Sequence, residues 1–187
     1  MRLIVAITGA TGAIYGIRLL ETLRAASIET HLLISRWGKV TIETESGRRL
    51  EEVIGQSTFY HAEDNLGAVI ASGSFRCAGM IIAPCSMKTL AGIAGGYADN
   101  LILRAADVTL KENRKLVLLA RETPLSPLHL ENMLKLSRLG VIITPPMPAF
   151  YSRPKTLDDI VGQTVGRVLD IFGIQYEGLK RWEGLPQ

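Results

Sequence analysis

The sequence predicts an α/β protein built on a parallel sheet with helices on both faces. Short apolar runs recur along the chain, each followed by a turn and a longer segment with helical spacing, as in repeated strand–helix units. The runs LIVAIT, MIIAP, LVLLA and VIIT are apolar at odd and even positions alike, as expected of strands shielded on both faces. With 187 residues, 47% hydrophobic and 18 glycines, the chain can bury one sizeable core but is short for two ordinary domains. The expected organisation is a single domain over residues 1–187, with 173–187 as a C-terminal docking tail.

Strands are expected at Leu3–Thr8, Thr30–Ser35, Thr58–His61, Ala78–Pro84, Leu116–Ala120 and Val141–Thr144, the third being short and mixed. Helical spacing marks Gly12–Ala26, Trp37–Thr44, Ser86–Ala94, Asn100–Glu112, Ser126–Arg138 and Asp158–Phe172. Ser126 followed by Pro127 marks a helix start, because proline at the first helical position gives up an N–H that has no intrahelical acceptor. The stretch from Gly173 ends in Lys180, Arg181 and Trp182 and reads either as a tail that docks on a partner, none being apparent within its own chain, or as a loosely ordered terminus.

The charge balance, 21 Lys+Arg against 18 Asp+Glu, is mildly basic and lacks the cationic clusters that track a nucleic-acid backbone. A small phosphorylated ligand suits it better. Cys77 and Cys85 make no disulfide framework, and His31, His61 and His129 lack metal-ligand spacing, so a reducing cytoplasm is expected. Arg2 and the apolar run after it imitate a signal peptide. The run breaks at Thr8 and Gly9 and continues into a charged helical pattern, which reads as strand, turn and helix. No stretch approaches the roughly 20 apolar residues of a membrane helix.

In open parallel sheets, ligands bind beyond the carboxyl ends of the strands. The first such turn, TGATGAIYG, has Gly9, Gly12 and Gly16. Its spacing is not that of the dinucleotide fingerprint, and a phosphate or flavin edge at the helix start fits better than NAD. Close packing of the helix on its strand is the alternative. Ser35 ends the second strand, either as a phosphate donor or as the cap of the next helix. PCSMKTLAGIAGG ends the fourth strand and places Ser86, Lys88 and Thr89 at a second anion-suited helix start, expected to face the first. Cys85 has no nearby histidine to serve as a base and reads as a small buried hydrophobe. Arg121 and Glu122 follow the fifth strand, able to bind phosphate and move a proton or to form a salt-bridged loop. Arg104 and Lys111 lie seven apart and share roughly one face of the preceding helix, a solvated face being the alternative for both. The rigid segment TPPMPAFYSRP presents Phe150, Tyr151 and Arg153, and Arg167 sits on the last helix.

Together GATGAIYG, PCSMKTLAGIA, NLILRAADVTLKE, RETPLSPLHLENMLKLSRLG and PPMPAFY resemble the UbiX/Pad flavin prenyltransferases, and the resemblance runs from Arg2 to Trp182. It implies a three-layer Rossmann-like sheet of order 3-2-1-4-5-6 in a homododecamer with sites at subunit contacts. It also implies metal-independent transfer of a dimethylallyl group from dimethylallyl monophosphate to N5 and then C6 of reduced FMN. The product, prenyl-FMN, serves UbiD-type decarboxylases. Gly9, Ala10 and Thr11 match the first flavin turn, Ser35 a phosphate-binding serine, Ser86, Met87, Lys88 and Thr89 the second flavin loop, and Arg121 a further flavin contact. Tyr151 and Arg167 match the prenyl-phosphate site, with Arg104 and Lys111 as further cations. Glu122 matches the acid/base, and Glu45 and Trp182 match helper positions. Some members carry a tryptophan near Leu66 that lines the prenyl pocket; its absence here leaves pocket shape and donor preference open. Two other readings are a flavin-dependent decarboxylase of the peptidyl-cysteine type and a non-catalytic flavin carrier, in which Lys111, Glu122, Tyr151 and Arg167 have no task.

Overall fold

Six parallel strands form one sheet in the order β3-β2-β1-β4-β5-β6: β1 (Arg2–Ile7), β2 (Glu29–Ile34), β3 (Phe59–His61), β4 (Gly79–Cys85), β5 (Lys115–Ala120) and β6 (Ile142–Ile143). The computed structural model describes residues 1–184. Two compact units divide the chain, Met1–Pro145 and Pro146–Gln187.

In the first unit, β1 pairs with β2 from Arg2↔Glu29 to Ile7↔Ile34 and with β4 from Ile4↔Met80 to Ala6↔Ile82. Successive connections run outward in opposite directions from β1 and β4, so the gap between their carboxyl ends is the switch point where ligands enter such sheets. The helices are α1 (Ala13–Ala25), α2 (Arg36–Ser46), α3 (Leu50–Ile54), α4 (Met87–Gly95), α5 (Leu101–Lys111) and α6 (Pro127–Arg138). Ile4, Ala6, Met80, Ile82, Leu116 and Leu118 join residues of α4, α5 and α6 in one buried cluster. The alternate residues of the strands are equally buried, which is why the runs are apolar at both parities. Ile7 turns to α1, which lies so close that a Cβ on Gly16 would collide with the Ala83 carbonyl and Ile7. Close packing is thus the role of Gly16 in the first turn.

Helix starts follow local chemistry. Ser35, Ser86, Asn100 and Ser126 each cap the helix that follows, their side chains accepting from Gly38, Thr89, Leu103 and His129 N–H respectively. The observed elements sit within about two residues of the expected ones. The sixth strand shrinks to Ile142–Ile143, although Thr144 N–H still donates to the Leu118 carbonyl at 2.9 Å. The five-residue α3 was not anticipated, being too short to display a helical period.

The second unit holds a 3-10 turn at Phe150–Ser152 and α7 (Leu157–Ile171). Thr156 and Asp159 form a capping box at the start of α7. The tail does have a partner in its own chain, contrary to the expectation. Tyr176 and Leu179 pack where Gly166 has no side chain, and Tyr176 also covers Gly162. Gly162 and Gly166 stand four apart on one helix face and leave a groove that a larger residue at either position would fill. Arg181 then pairs with Asp170 through two hydrogen bonds of 3.0 and 2.6 Å. Residues 185–187 of the expected tail lie outside the described residues.

Candidate functional site

All six strands point the same way, so the turns after β1, β2, β4 and β5 emerge at one edge of the sheet. At that edge Gly9, Ser35, Arg36, Trp37, Ser86, Lys88, Thr89 and Leu103 contribute to a cleft of about 400 Å³, with Glu63, Asn100 and Ile102 completing its wall. The structure therefore brings together Gly9, Ser35, Ser86, Lys88 and Thr89 from the expected set. A Cβ on Gly9 would strike the Trp37 side chain, so glycine there keeps the start of α2 close to the end of β1.

One expectation is corrected. The anion-suited start of α4 lines the cleft with the start of α2, not that of α1. The first N–H groups of α1 are already taken, because the Glu45 carboxylate on α2 accepts from Gly12 N at 2.8 Å and Ala13 N at 3.1 Å. Gly12 adopts φ 101°, a left-handed conformation without a capping side chain of its own, so a distant carboxylate supplies the cap. Glu45 is thus placed on the glycine turn. Ala10 and Thr11 lie in that turn, half-buried and exposed respectively.

Ser35 and Ser86 each cap a helix and line the cleft at once. Ser35 Oγ accepts from Gly38 N at 3.0 Å, which leaves its own proton for another acceptor, so the two readings of this residue are compatible. Met87 is buried in the core, and Lys88 is exposed at the first turn of α4. Cys85 is fully buried, and burial pushes its thiol far above the ordinary range, which suits the inert hydrophobe and not a nucleophile.

Arg121, Glu122, Arg104 and Lys111 are not among the residues lining this cleft. Arg121 follows β5 directly, with its N–H donating to the Cys85 carbonyl at 3.1 Å. Glu122 Oε1 accepts from Thr123 N at 3.0 Å, and among the described residues no ion pair joins it to Arg121, so the salt-bridged loop is not what forms. Arg104 and Lys111 do share a face. Arg104 Nε donates to the Ala71 carbonyl at 3.2 Å, and Lys111 Nζ lies near Gly73, so both face the Ala71–Gly73 segment. Each also bonds a carboxylate on α5 or just after it, Asp107 and Glu112 respectively, both at 2.7 Å.

Tyr151, Arg167 and Trp182 belong to the second unit. Tyr151 and Trp182 meet edge to face, with ring centroids 5.9 Å apart, and Arg167 donates to Asp170 at 2.8 Å. The neighbouring Arg181 and Arg167 hold the Asp170 carboxyl below the usual carboxylate range. Tyr151, Arg153, Lys155, Lys180, Arg181 and Trp182 contribute to a second, open and cation-rich recess.

Three residues of the first cleft and its frame escaped the sequence reading. Thr8, 1% exposed, donates to the Pro84 carbonyl and accepts from Ser86 N, both at 2.8 Å. Glu63 accepts from Arg36 N at 3.0 Å, and Asn100 caps α5 at the cleft wall. Thr8 ends an apolar run and looks like ordinary strand. Glu63 follows the least regular strand and carries no motif, and Asn100 was legible only as a helix start.

The cleft suits a phosphorylated planar ligand. It combines hydroxyls on Ser35 and Thr89, the Lys88 cation, and an apolar wall from Ile102 and Leu103. At the start of α4, Thr8 and Ser86 take the N–H groups of Ser86 and Thr89, while those of Met87 and Lys88 lack intrahelical acceptors. FMN, with one phosphate and one flat ring system, meets that donor set. Among the described residues no group of three His, Cys, Asp or Glu is placed to hold a metal ion, and no helix is long and apolar enough to cross a membrane.

The Flavoprotein family model matches residues 1–169. A probable UbiX-like flavin prenyltransferase of Escherichia coli is 58% identical, over 100% of this chain and 95% of its own. Among solved structures, a dodecameric FMN-dependent UbiX-like decarboxylase from Escherichia coli O157:H7 superposes with a TM-score of 0.97 at 57% identity, covering 98% of this chain and 100% of that one. AnUbiX (PadA1), solved in complex with FMN and dimethylallyl pyrophosphate, gives 0.97 at 49% identity over 99% and 98% of the two chains. On these full-length similarities the chain belongs to the flavoprotein family, among the UbiX-like flavin prenyltransferases.

Proposed function

We propose that this chain is a flavin prenyltransferase that joins a dimethylallyl group to N5 and C6 of reduced FMN, with dimethylallyl monophosphate as donor. The observation that carries the reading is the cleft at the switch point, where Ser35, Lys88, Thr89 and the start of α4 converge. Reduced FMN supplies the electron-rich ring that becomes prenylated. Gly9, Ala10, Thr11, Ser35, Ser86, Met87, Lys88, Thr89 and Arg121 are assigned to its binding. Tyr151, Arg167, Arg104 and Lys111 are assigned to the donor phosphate, where cationic donors stabilise the charge left as the allylic C–O bond breaks. Lys111 thereby assists catalysis directly. Trp182 is assigned to the donor as an aromatic contact. Glu122 is the proton acceptor that the ring closure requires. Glu45 acts by holding the glycine turn.

The same reading makes residues 1–187 one flavoprotein domain, working in the cytoplasm as a homododecamer, a size in keeping with the dodecameric relative from Escherichia coli O157:H7. Its product passes to a prenyl-FMN-dependent decarboxylase of the UbiD type. Anaerobic incubation with reduced FMN and dimethylallyl monophosphate, followed by mass spectrometry of the extracted flavin, tests it. A flavin heavier by one prenyl unit, with free phosphate, is expected. An unchanged flavin together with carbon dioxide released from an acid substrate would establish the decarboxylase instead. The diphosphate donor, run in parallel, reads out donor preference.

A further inference from the structure

Gln163 is 4% exposed and uses both ends of its amide within the second unit. Its Nε2 donates to Tyr151 Oη at 3.1 Å and to the Lys180 carbonyl at 2.8 Å, while Oε1 accepts from Lys180 N at 3.0 Å. Leucine would serve the helix better at this buried position, so the reason for glutamine lies in what it holds. It holds the phenol of Tyr151 and the backbone at Lys180, from which Arg181 and Trp182 follow.

The direction of these bonds matters. Because Gln163 has only hydrogens to offer at Nε2, Tyr151 Oη is the acceptor in that bond. Among the described residues the phenolic proton then has only the Lys180 carbonyl at 3.5 Å, the outer limit of hydrogen bonding. A phosphate oxygen at ordinary distance takes such a proton in preference. Trp182, which meets the Tyr151 ring edge to face, is held by the backbone that Gln163 anchors.

We propose that Gln163 is a positioning residue for the prenyl-phosphate donor: it orients the Tyr151 hydroxyl to donate to the leaving phosphate and keeps the Trp182 ring beside it. The inference rests on the reading of Tyr151 as a donor contact. It concerns the donor half of the reaction alone, since none of these residues lines the Ser35 cleft.

A double-mutant cycle with Gln163→Leu and Tyr151→Phe tests it in the full-length protein. Each single variant is expected to lower kcat/KM for dimethylallyl monophosphate by roughly tenfold, mainly through KM, with FMN affinity unchanged. The double variant is expected within about twofold of Tyr151→Phe, because the two residues act through one hydroxyl. Losses that multiply, or wild-type kinetics in Gln163→Leu, overturn the proposal. A lowered melting temperature without the KM effect also overturns it, since that is the mark of a purely structural residue. If Tyr151→Phe alone changes nothing, the assignment of Tyr151 fails and takes the inference with it, an outcome distinct from failure at Gln163 only. Should Gln163→Leu not fold, Gln163→Met carries the same cycle, keeping the side chain's length while removing both donated bonds.

Discussion

Thr8 and Ser86 are joined by a hydrogen bond of 2.8 Å from the Ser86 N–H to the Thr8 hydroxyl, which in turn donates to the Pro84 carbonyl. One buried side chain thus fixes the ends of β1 and β4 against each other where the cleft opens. Thr8→Val keeps the shape and deletes both bonds, stranding the Ser86 N–H. The expected cost is about 1–3 kcal/mol of stability, read by urea unfolding, with weakened FMN affinity. Thr8→Ser should recover most of both. A valine variant as stable as the parent would mean that water or another group satisfies Ser86.

Ser35→Asp separates capping from ligand binding. Aspartate caps helices about as well as serine, so α2 and the melting temperature should be retained. Its carboxylate in the cleft repels a phosphate, and FMN affinity should fall at least tenfold by equilibrium dialysis, roughly the effect of one misplaced charge. Unchanged affinity would remove Ser35 from the phosphate site.

Glu45→Ala takes the carboxylate from Gly12 N and Ala13 N. The expected loss is about 1 kcal/mol in the ligand-free protein, the ordinary value of a helix cap. Glu45→Gln, which still presents an oxygen acceptor, should lose less. Melting temperatures measured without flavin decide it: a role confined to the chemistry leaves them unmoved.

Glu122→Gln preserves the side chain's shape and its acceptor oxygen for Thr123 N but removes the group proposed as proton acceptor. Prenylation should slow by roughly 10²-fold with FMN binding intact. A wild-type rate would transfer the proton to the released phosphate.

A pH effect on stability follows from the paired histidines at the β2–β3 edge. His31 Nδ1 lies 2.9 Å from His61 Nε2, and His31 Nε2 lies 3.1 Å from Glu29 Oε1. With His31 Nε2–H donating to Glu29, the other ring nitrogen of His31 is the one that faces His61. Burial, and secondarily the neighbouring His31, lower the His61 pKa below the ordinary imidazole value. The unfolded chain therefore binds a proton at higher pH than the folded one. Stability from this site is full above the unfolded value and is lost as pH falls through it. Unfolding midpoints should drop between about pH 7.5 and about pH 5.5, and His61→Gln, which keeps a donor for His31, should reduce that slope. An identical slope in the variant would assign the effect to other groups.

The paired histidines also show where sequence reading stops. His31 and His61 are thirty residues apart in the chain, and only the parallel register that sets Leu33 opposite His61 brings their rings together. The same holds for Thr8 with Ser86. The tail is a further case: Gly162, Gly166 and Tyr176 carry no motif, and the groove exists only once α7 is helical and the chain has turned back.

By itself the sequence determined the α/β class, the six strands, most helix starts and the residues that resemble the flavin prenyltransferases. Those properties are local: period, capping chemistry and contiguous motifs act over a few residues. Only the tertiary structure decided that Glu45 accepts from the first α1 amides, that α2 shares the cleft with α4, and that Gln163 holds Tyr151 and the tail. Those outcomes depend on which surfaces meet after the strands have paired. A hydrogen bond between distant residues has no signature in either residue's neighbours; it exists only where packing brings a donor to an acceptor and removes the water that would otherwise satisfy both.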